Sequence, residues 1–249
     1  MKGNVRAILT IAVLGLAALA CQTGIGRGDA GGDNPPLVST IPVLPTEDEP
    51  APEPTEPEPQ SSGDVIISDD FSSALWGTGT DVDSAVEYLD GSLNFNVFTE
   101  DYFVWSTPDG ETYADVNMET TVVNNDTDST TAFGFICNKS EGNDFYYLAI
   151  TPAGQYAIAV AKEGEADVFL TNNDQWADSD LIAVNADSYR VGADCGNGRL
   201  TLYVNGQEIA SVEDSTYTEG QVAVMVWSGE EAGMINNVSF DDFVMRELP

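Results

Sequence analysis

The chain has no histidine, and only three of its residues are lysine: Lys2, Lys139 and Lys162. The first absence removes the usual general base, the partner of a serine nucleophile and the commonest transition-metal ligand, so any catalysis would rest on carboxylates alone. The second goes with 42 acidic against 8 basic residues and a formal charge of −34. A field of that sign repels phosphate and excludes nucleic acid and anionic lipid as partners. Also missing is an apolar run long enough to cross a bilayer. The run from Ala7 to Ala20 reaches about 21 Å as a helix, against a hydrocarbon core of about 30 Å. No amphipathic stretch of helical period and adequate length occurs, and cysteine is confined to Cys21, Cys137 and Cys195.

What is present begins with a basic tip, Lys2 and Arg6, leading into that apolar run and stopping at Cys21, which is the pattern of an export signal. The small residues Ala17, Ala18 and Ala20 before the cysteine resemble the lipobox of prokaryotic lipoproteins. Ala18 stands where the usual leucine would be, with Leu19 one place late. The resemblance implies a signal peptide over 1–20, lipidation at Cys21, and a protein held at the cell surface by that lipid; plain secretion is the alternative. Residues 21–63 are Gly-rich and then Pro/Glu-rich from Glu47 to Pro59. So little apolar surface cannot offset ordering entropy, and a disordered tether is expected. About 20 residues of polyproline II would give it a reach of about 60 Å. With Cys21 set aside, Cys137 and Cys195 form an even pair in an oxidising compartment, which predicts a disulfide. It would close a loop of about 58 residues and stabilise the fold by about 4 kcal/mol in the chain-entropy model; two free buried thiols are the alternative.

From Asp64 to Pro249 the texture becomes short apolar and aromatic runs divided by turn signals, as in an all-β sandwich or barrel. Asp90-Gly91 and Asn205-Gly206 each separate two such runs and fit two-residue type I′ hairpins. Pro152-Ala153-Gly154 and Gly196-Asn197-Gly198 mark further turns. Strands are expected over Val65 to Ile67, Tyr102 to Ser106, Ala114 to Asn124, Thr131 to Asn138, Gln221 to Trp227 and Asn237 to Met245, among others. About a dozen antiparallel strands predict one domain over 64–249, a two-sheet antiparallel jelly-roll sandwich. Alternation puts Phe133, Phe135 and Cys137 on one strand face and Leu200, Leu202 and Val204 on another, both expected to be core.

Asp69-Asp70-Phe71-Ser72, Phe133-Gly134-Phe135-Ile136-Cys137, Asn143-Asp144-Phe145-Tyr146-Tyr147-Leu148, Leu200 to Gly206 and Phe240-Asp241-Asp242-Phe243-Val244 span nearly the whole domain. Together they resemble the concanavalin A-like lectin/glucanase (laminin G-like) sandwiches of bacterial surface lipoproteins. That resemblance implies first and last strands lying side by side, which brings the two Asp-Asp-Phe segments together. One aspartate of each pair, Asp70 and Asp242, would then reach a shared calcium, with loop carbonyls completing an oxygen-only shell; solvated strand ends are the other reading. Asn124 to Ser129 has ligand types at alternate positions but lacks the turn glycine and terminal glutamate of an EF-hand loop. Glycanases of this fold carry a Glu-x-Asp-x-Glu cluster on one strand. None stands here, so the expected reading is non-catalytic, although a dispersed acid pair would suffice for hydrolysis.

Sugar rings stack on flat aromatic faces while their hydroxyls pair with Asn and Asp. Trp176, in the polar stretch Asn172 to Asp178, is therefore the first candidate ligand-binding residue. Tyr146 and Tyr156, on adjacent strands, are expected to form a platform with Asn143. Trp105 and Trp227 sit in apolar strands and are expected to be core. The partner implied is a polysaccharide or glycoconjugate, and the alternatives are an envelope interaction domain or a glycoside hydrolase.

Overall fold

A computed structural model describes residues 63–140, 142–229 and 235–249. The expected signal peptide, Cys21 and nearly all of the expected tether lie outside the described residues. Sixteen strands follow one another: β1 (Val65–Asp69), β2 (Gly79–Thr80), β3 (Ser84–Leu89), β4 (Ser92–Val97), β5 (Phe103–Ser106), β6 (Val116–Asn124), β7 (Ala132–Lys139), β8 (Phe145–Ile150), β9 (Gln155–Ala161), β10 (Val168–Phe169), β11 (Ala177–Asp178), β12 (Tyr189–Gly196), β13 (Arg199–Val204), β14 (Gln207–Glu213), β15 (Gln221–Trp227) and β16 (Asn236–Glu247). They make an antiparallel sheet of nine strands, in the order β14, β13, β12, β6, β16, β4, β3, β2, with β1 also on β16. A second sheet of seven runs β10, β9, β8, β7, β15, β5, with β11 also on β9.

The turn dipeptides act as their chemistry requires. Asp90 and Gly91 have φ of 53° and 84°, Asn205 and Gly206 have 50° and 79°, and these two turns join β3 to β4 and β13 to β14. Alternation then sends one face of each sheet inward. Phe133, Phe135 and Cys137 of β7 meet Leu200, Leu202 and Val204 of β13 in one continuous core that excludes solvent. The disulfide is present: Cys137 of β7 joins Cys195 of β12 across the sandwich, with a Cα–Cα separation of 6.4 Å.

First and last strands do pair, Asp69 lying opposite Phe243. The two Asp-Asp-Phe segments are nevertheless accounted for by local structure. Buried Asp69 accepts hydrogen bonds from the Phe71 amide (2.9 Å) and the Trp76 indole (3.0 Å), and Trp76 packs edge-on against Phe243 at 4.8 Å. Exposed Asp70 accepts from the Ser72 amide at 3.1 Å, and hydrogen bonding from Ser72 lowers its pKa. Asp242 occupies a β-bulge where the β16–β6 register shifts, at φ 49°, a conformation aspartate tolerates better than most side chains. Its carbonyl accepts from Arg190 at 2.7 Å.

Candidate functional site

The seven-stranded sheet carries a second apolar layer on its outer face, outside the sandwich core. Its origin is visible strand by strand. In β15, Val222, Val224 and Val226 point inward, which turns Ala223, Met225 and Trp227 outward; in β8, Tyr146, Leu148 and Ile150 point inward and Phe145, Tyr147 and Ala149 outward. β5 adds Phe103 and Trp105, and β10 adds Phe169. Small residues, Gly134, Ala149, Ala159 and Ala223, leave room between these rings. At Gly134 a side chain is barred, since a Cβ would stand 2.1 Å from the Leu148 carbonyl oxygen.

The rings form a connected series. Trp105 and Phe145 are 6.1 Å apart between centroids, Phe103 stands 5.7 Å from both Phe145 and Tyr147, and Tyr147 lies 6.4 Å from Phe169. Phe169 meets Trp176 at 5.9 Å, and Trp176 meets Trp227 at 6.0 Å. Trp105, Trp176 and Trp227 are half-buried, so each keeps part of its surface in solvent.

Polar groups fix the edges of this layer. Asn172, Asn173 and Asp174 all take positive φ (48°, 53° and 67°), which explains why the loop before Trp176 is built of Asn and Asp. Asn172 donates to the Trp176 carbonyl at 2.7 Å, and Asp174 accepts from the Phe169 amide at 2.8 Å. The Trp227 indole donates to Asp101 at 2.9 Å. The Lys139 ammonium stands 5.6 Å from the Trp105 ring centroid and donates to the carbonyls of Ser140 (3.1 Å) and Gly142 (2.9 Å). Beside Trp105 opens a cavity of about 260 Å³, walled by Phe103, Trp105 and Phe145 and bordered by Asn143, Glu163 and Asp167. Burial pushes the Asp167 carboxyl above its ordinary range. The buried Tyr147 hydroxyl is pushed up by burial and then by the charge of Asp167.

The outer face of the nine-stranded sheet is polar instead. Asn237 donates to Asn96 at 2.6 Å, Asn96 to Asn94 at 2.9 Å, Asn94 to Ser239 at 2.9 Å and Asn125 to Asn237 at 2.7 Å. Nearby, Arg190 pairs with Glu119 at 3.2 Å.

Of the residues expected to bind ligand, Trp176 and Asn143 lie on the aromatic side, Trp176 between Phe169 and Trp227 and Asn143 at the cavity. Tyr146 and Tyr156 do not. Both belong to the inner layer: Tyr146 is fully buried, its hydroxyl donating to Asp214 and accepting from the Tyr217 amide, and Tyr156 packs against the core. The expected platform is corrected accordingly, because strand alternation gives the outward position to Tyr147. Trp105 and Trp227 are likewise corrected, from core to outer face. Sequence reasoning also missed Phe103, Phe145 and Tyr147; the signal was there in Phe103-Val104-Trp105 and in Ala223, Met225 and Trp227 alternating with valines. Among the described residues no three His, Cys, Asp or Glu side chains are grouped as a metal site. Asp70 already accepts a hydrogen bond from the Ser72 amide, so a calcium ion there would take most of its six to eight oxygens from loop carbonyls and water.

No family model matches the sequence, and no curated protein matches it. Solved structures do. The carbohydrate-binding module CBM66 from Bacillus subtilis superposes with a TM-score of 0.52 at 16% identity, over 70% of this chain and 96% of that one. A Bacillus subtilis protein of unknown function with a galectin-like fold gives 0.56 at 13% identity, over 74% and 96%. A beta-glucanase of Bacillus licheniformis gives 0.50 at 12% identity, over 76% and 100%. At such identities the likeness speaks for the fold alone, a two-sheet antiparallel jelly-roll sandwich shared with a structure described as galectin-like.

Proposed function

We propose that this chain is an exported, lipid-anchored surface module that binds glycan without cleaving it, and that sugar rings lie on the aromatic outer face of the seven-stranded sheet. The observation that carries this reading is the placement of three half-buried tryptophans, Trp105, Trp176 and Trp227, on one sheet face whose borders hold amides and carboxylates. A sugar needs a flat apolar surface for its ring and polar groups for its hydroxyls, and the borders supply Asn143, Glu163 and Asp167. Structural neighbours described as a carbohydrate-binding module and a beta-glucanase accord with the same partner class. Lipidation at Cys21 and an extended acidic tether would hold the sandwich at the cell surface.

The test is a glycan array in calcium-containing buffer, repeated with chelator and with Trp176→Ala and Trp105→Ala. Binding lost in both variants and kept with chelator is the expected result. No binding to any glycan would overturn the reading in favour of an envelope interaction domain. A hydrolytic reading has one observation in its favour, that two carboxylates, Glu163 and Asp167, border one cavity. Release of reducing sugar from a polysaccharide panel, abolished by Glu163→Gln or Asp167→Asn, would replace the non-catalytic account. Mass spectrometry of the mature N-terminus tests the anchor, with a diacyl modification on Cys21 expected.

A further inference from the structure

The cavity beside Trp105 combines two features that together attract a cation. Its walls are three aromatic side chains, Phe103, Trp105 and Phe145, and its border holds two carboxylates, Glu163 and Asp167. Aromatic rings present negative faces, and a carboxylate nearby adds to the attraction they exert on a cation. The molecule already uses one of these rings in that way, holding the Lys139 ammonium 5.6 Å from the Trp105 centroid.

The charges around the cavity can be followed one by one. Lys139 is committed to the Ser140 and Gly142 carbonyls. Lys162 borders the cavity from the exposed turn after β9. Glu163 is placed by its own amide, which donates to Asp144 at 2.9 Å, and one of its carboxylate oxygens comes within 3.2 Å of where a Cβ on Gly142 would sit. Asp167 forms no ion pair among the described residues. Behind it lies the buried Tyr147 hydroxyl, whose nearest charged neighbour is the Asp167 carboxylate. Beyond the cavity, the overall charge of −34 raises the local concentration of cations and lowers that of anions.

From this we propose that the cavity selects a protonated amine on the glycan, so that the preferred ligand carries amino sugars whose nitrogen is free rather than acylated. The ammonium would stand against Trp105 and Phe145 with Glu163 and Asp167 as counter-ions, while the remaining rings lie along Trp176 and Trp227. The inference rests on the glycan-binding reading and narrows it.

The probes are β-1,4-linked glucosamine oligomers, their fully N-acetylated counterparts, and neutral glucose oligomers of equal length. Binding to the full protein is followed by tryptophan fluorescence and calorimetry at about pH 6, where carboxylates are largely ionised and amines protonated. The glucosamine oligomer is expected to bind at least about tenfold more tightly than its acetylated form, about the size of one desolvated cation–aromatic contact with its counter-ion. Asp167→Asn and Glu163→Gln, both at exposed positions, should remove that preference, bringing the glucosamine oligomer down to the affinity of its acetylated form. Equal or tighter binding of the acetylated oligomer overturns the amine preference while the glycan reading stands. Failure of all three oligomers to bind, with other glycans bound on the array, also overturns the amine preference alone. Failure of every glycan overturns both.

Discussion

The two outer faces of the sandwich are made from the same strand alternation and come out opposite. On the nine-stranded sheet the outward positions hold Asn94, Asn96, Asn237 and Ser239, whose amides and hydroxyl satisfy one another across β4 and β16. On the seven-stranded sheet they hold seven aromatic rings and a set of small residues. Around Asn94, Asn96, Asn237 and Ser239 the first face has little left to offer a ligand, since these donors and acceptors engage one another. The second is a surface whose apolar area is only partly covered, and removing it from water is worth roughly 25 cal/mol per Å². On the proposed reading, sugar would be bound by the aromatic sheet, and the polar sheet would support it.

That division can be broken in several ways. The largest effect concerns what joins the sheets: Cys137→Ala with Cys195→Ala should lower unfolding free energy by about 4 kcal/mol in urea titration. A loss near zero would mean that interdigitation of the inner faces alone fixes the two sheets. Next, Trp176→Ala and Trp105→Ala should each weaken glycan binding by about tenfold or more, whereas Asn237→Ala on the polar face should leave affinity unchanged while costing about 1 kcal/mol of stability. Equal loss of affinity from Asn237→Ala would sink the assignment of faces.

A finer comparison lies within β8, where neighbouring tyrosines face opposite sides. Tyr146→Phe removes a hydroxyl that engages Asp214 and the Tyr217 amide, and a cost of about 1–2 kcal/mol is expected. Tyr147→Phe removes a buried hydroxyl with no partner at hydrogen-bond distance among the described residues, so it should be neutral or stabilising by up to about 1 kcal/mol. The reverse order in thermal denaturation would invalidate the two placements. The smallest effect belongs to Asp167. Its carboxyl is raised by burial, so the folded state binds its proton more tightly than the unfolded chain does. The ionised form therefore weakens the fold at neutral pH, and that penalty fades as pH falls through the raised pKa. Asp167→Asn should raise the melting temperature slightly at pH 7 and leave it unchanged in acid. Since Asp167 is only partly covered and keeps contact with solvent, the rise should be no more than about a degree or two.

Much of the fold could be read from the residues. Gln221 to Trp227 runs as a strand over the same bounds that its pattern predicts, and Asp90-Gly91 and Asn205-Gly206 turn as their chemistry dictates. The pairing of Cys137 with Cys195 also follows from counting. The outer aromatic layer was harder to see for a physical reason. In β7 and β8 every residue is buried, on both faces, so alternation separates two sets without saying which meets the other sheet. Tyr146 and Tyr147 are equally apolar in composition, and only the register against β7 and β9 decides between them. The two-residue strands β2, β10 and β11 have too few positions for any period to show. Asp242 reads as a ligand type and serves as a bulge residue, a role set by the register of β16 against β6.

The pairing of β1 with β16 has a mechanical consequence. Val65 lies opposite Arg246, and the Glu247 amide donates to the Asp64 carbonyl at 3.0 Å, so both ends of the domain leave from one point of the sheet edge. Tension applied between those ends would open the ladder like a zip, loading one pair of hydrogen bonds at a time and needing little force. The peeling would meet its stop at Asp69, where the carboxylate is locked to Phe71 and Trp76 and the indole is wedged against Phe243. A short sacrificial strand ending in a buried clasp would let Val65 to Ser68 yield while the sandwich beyond them keeps its shape.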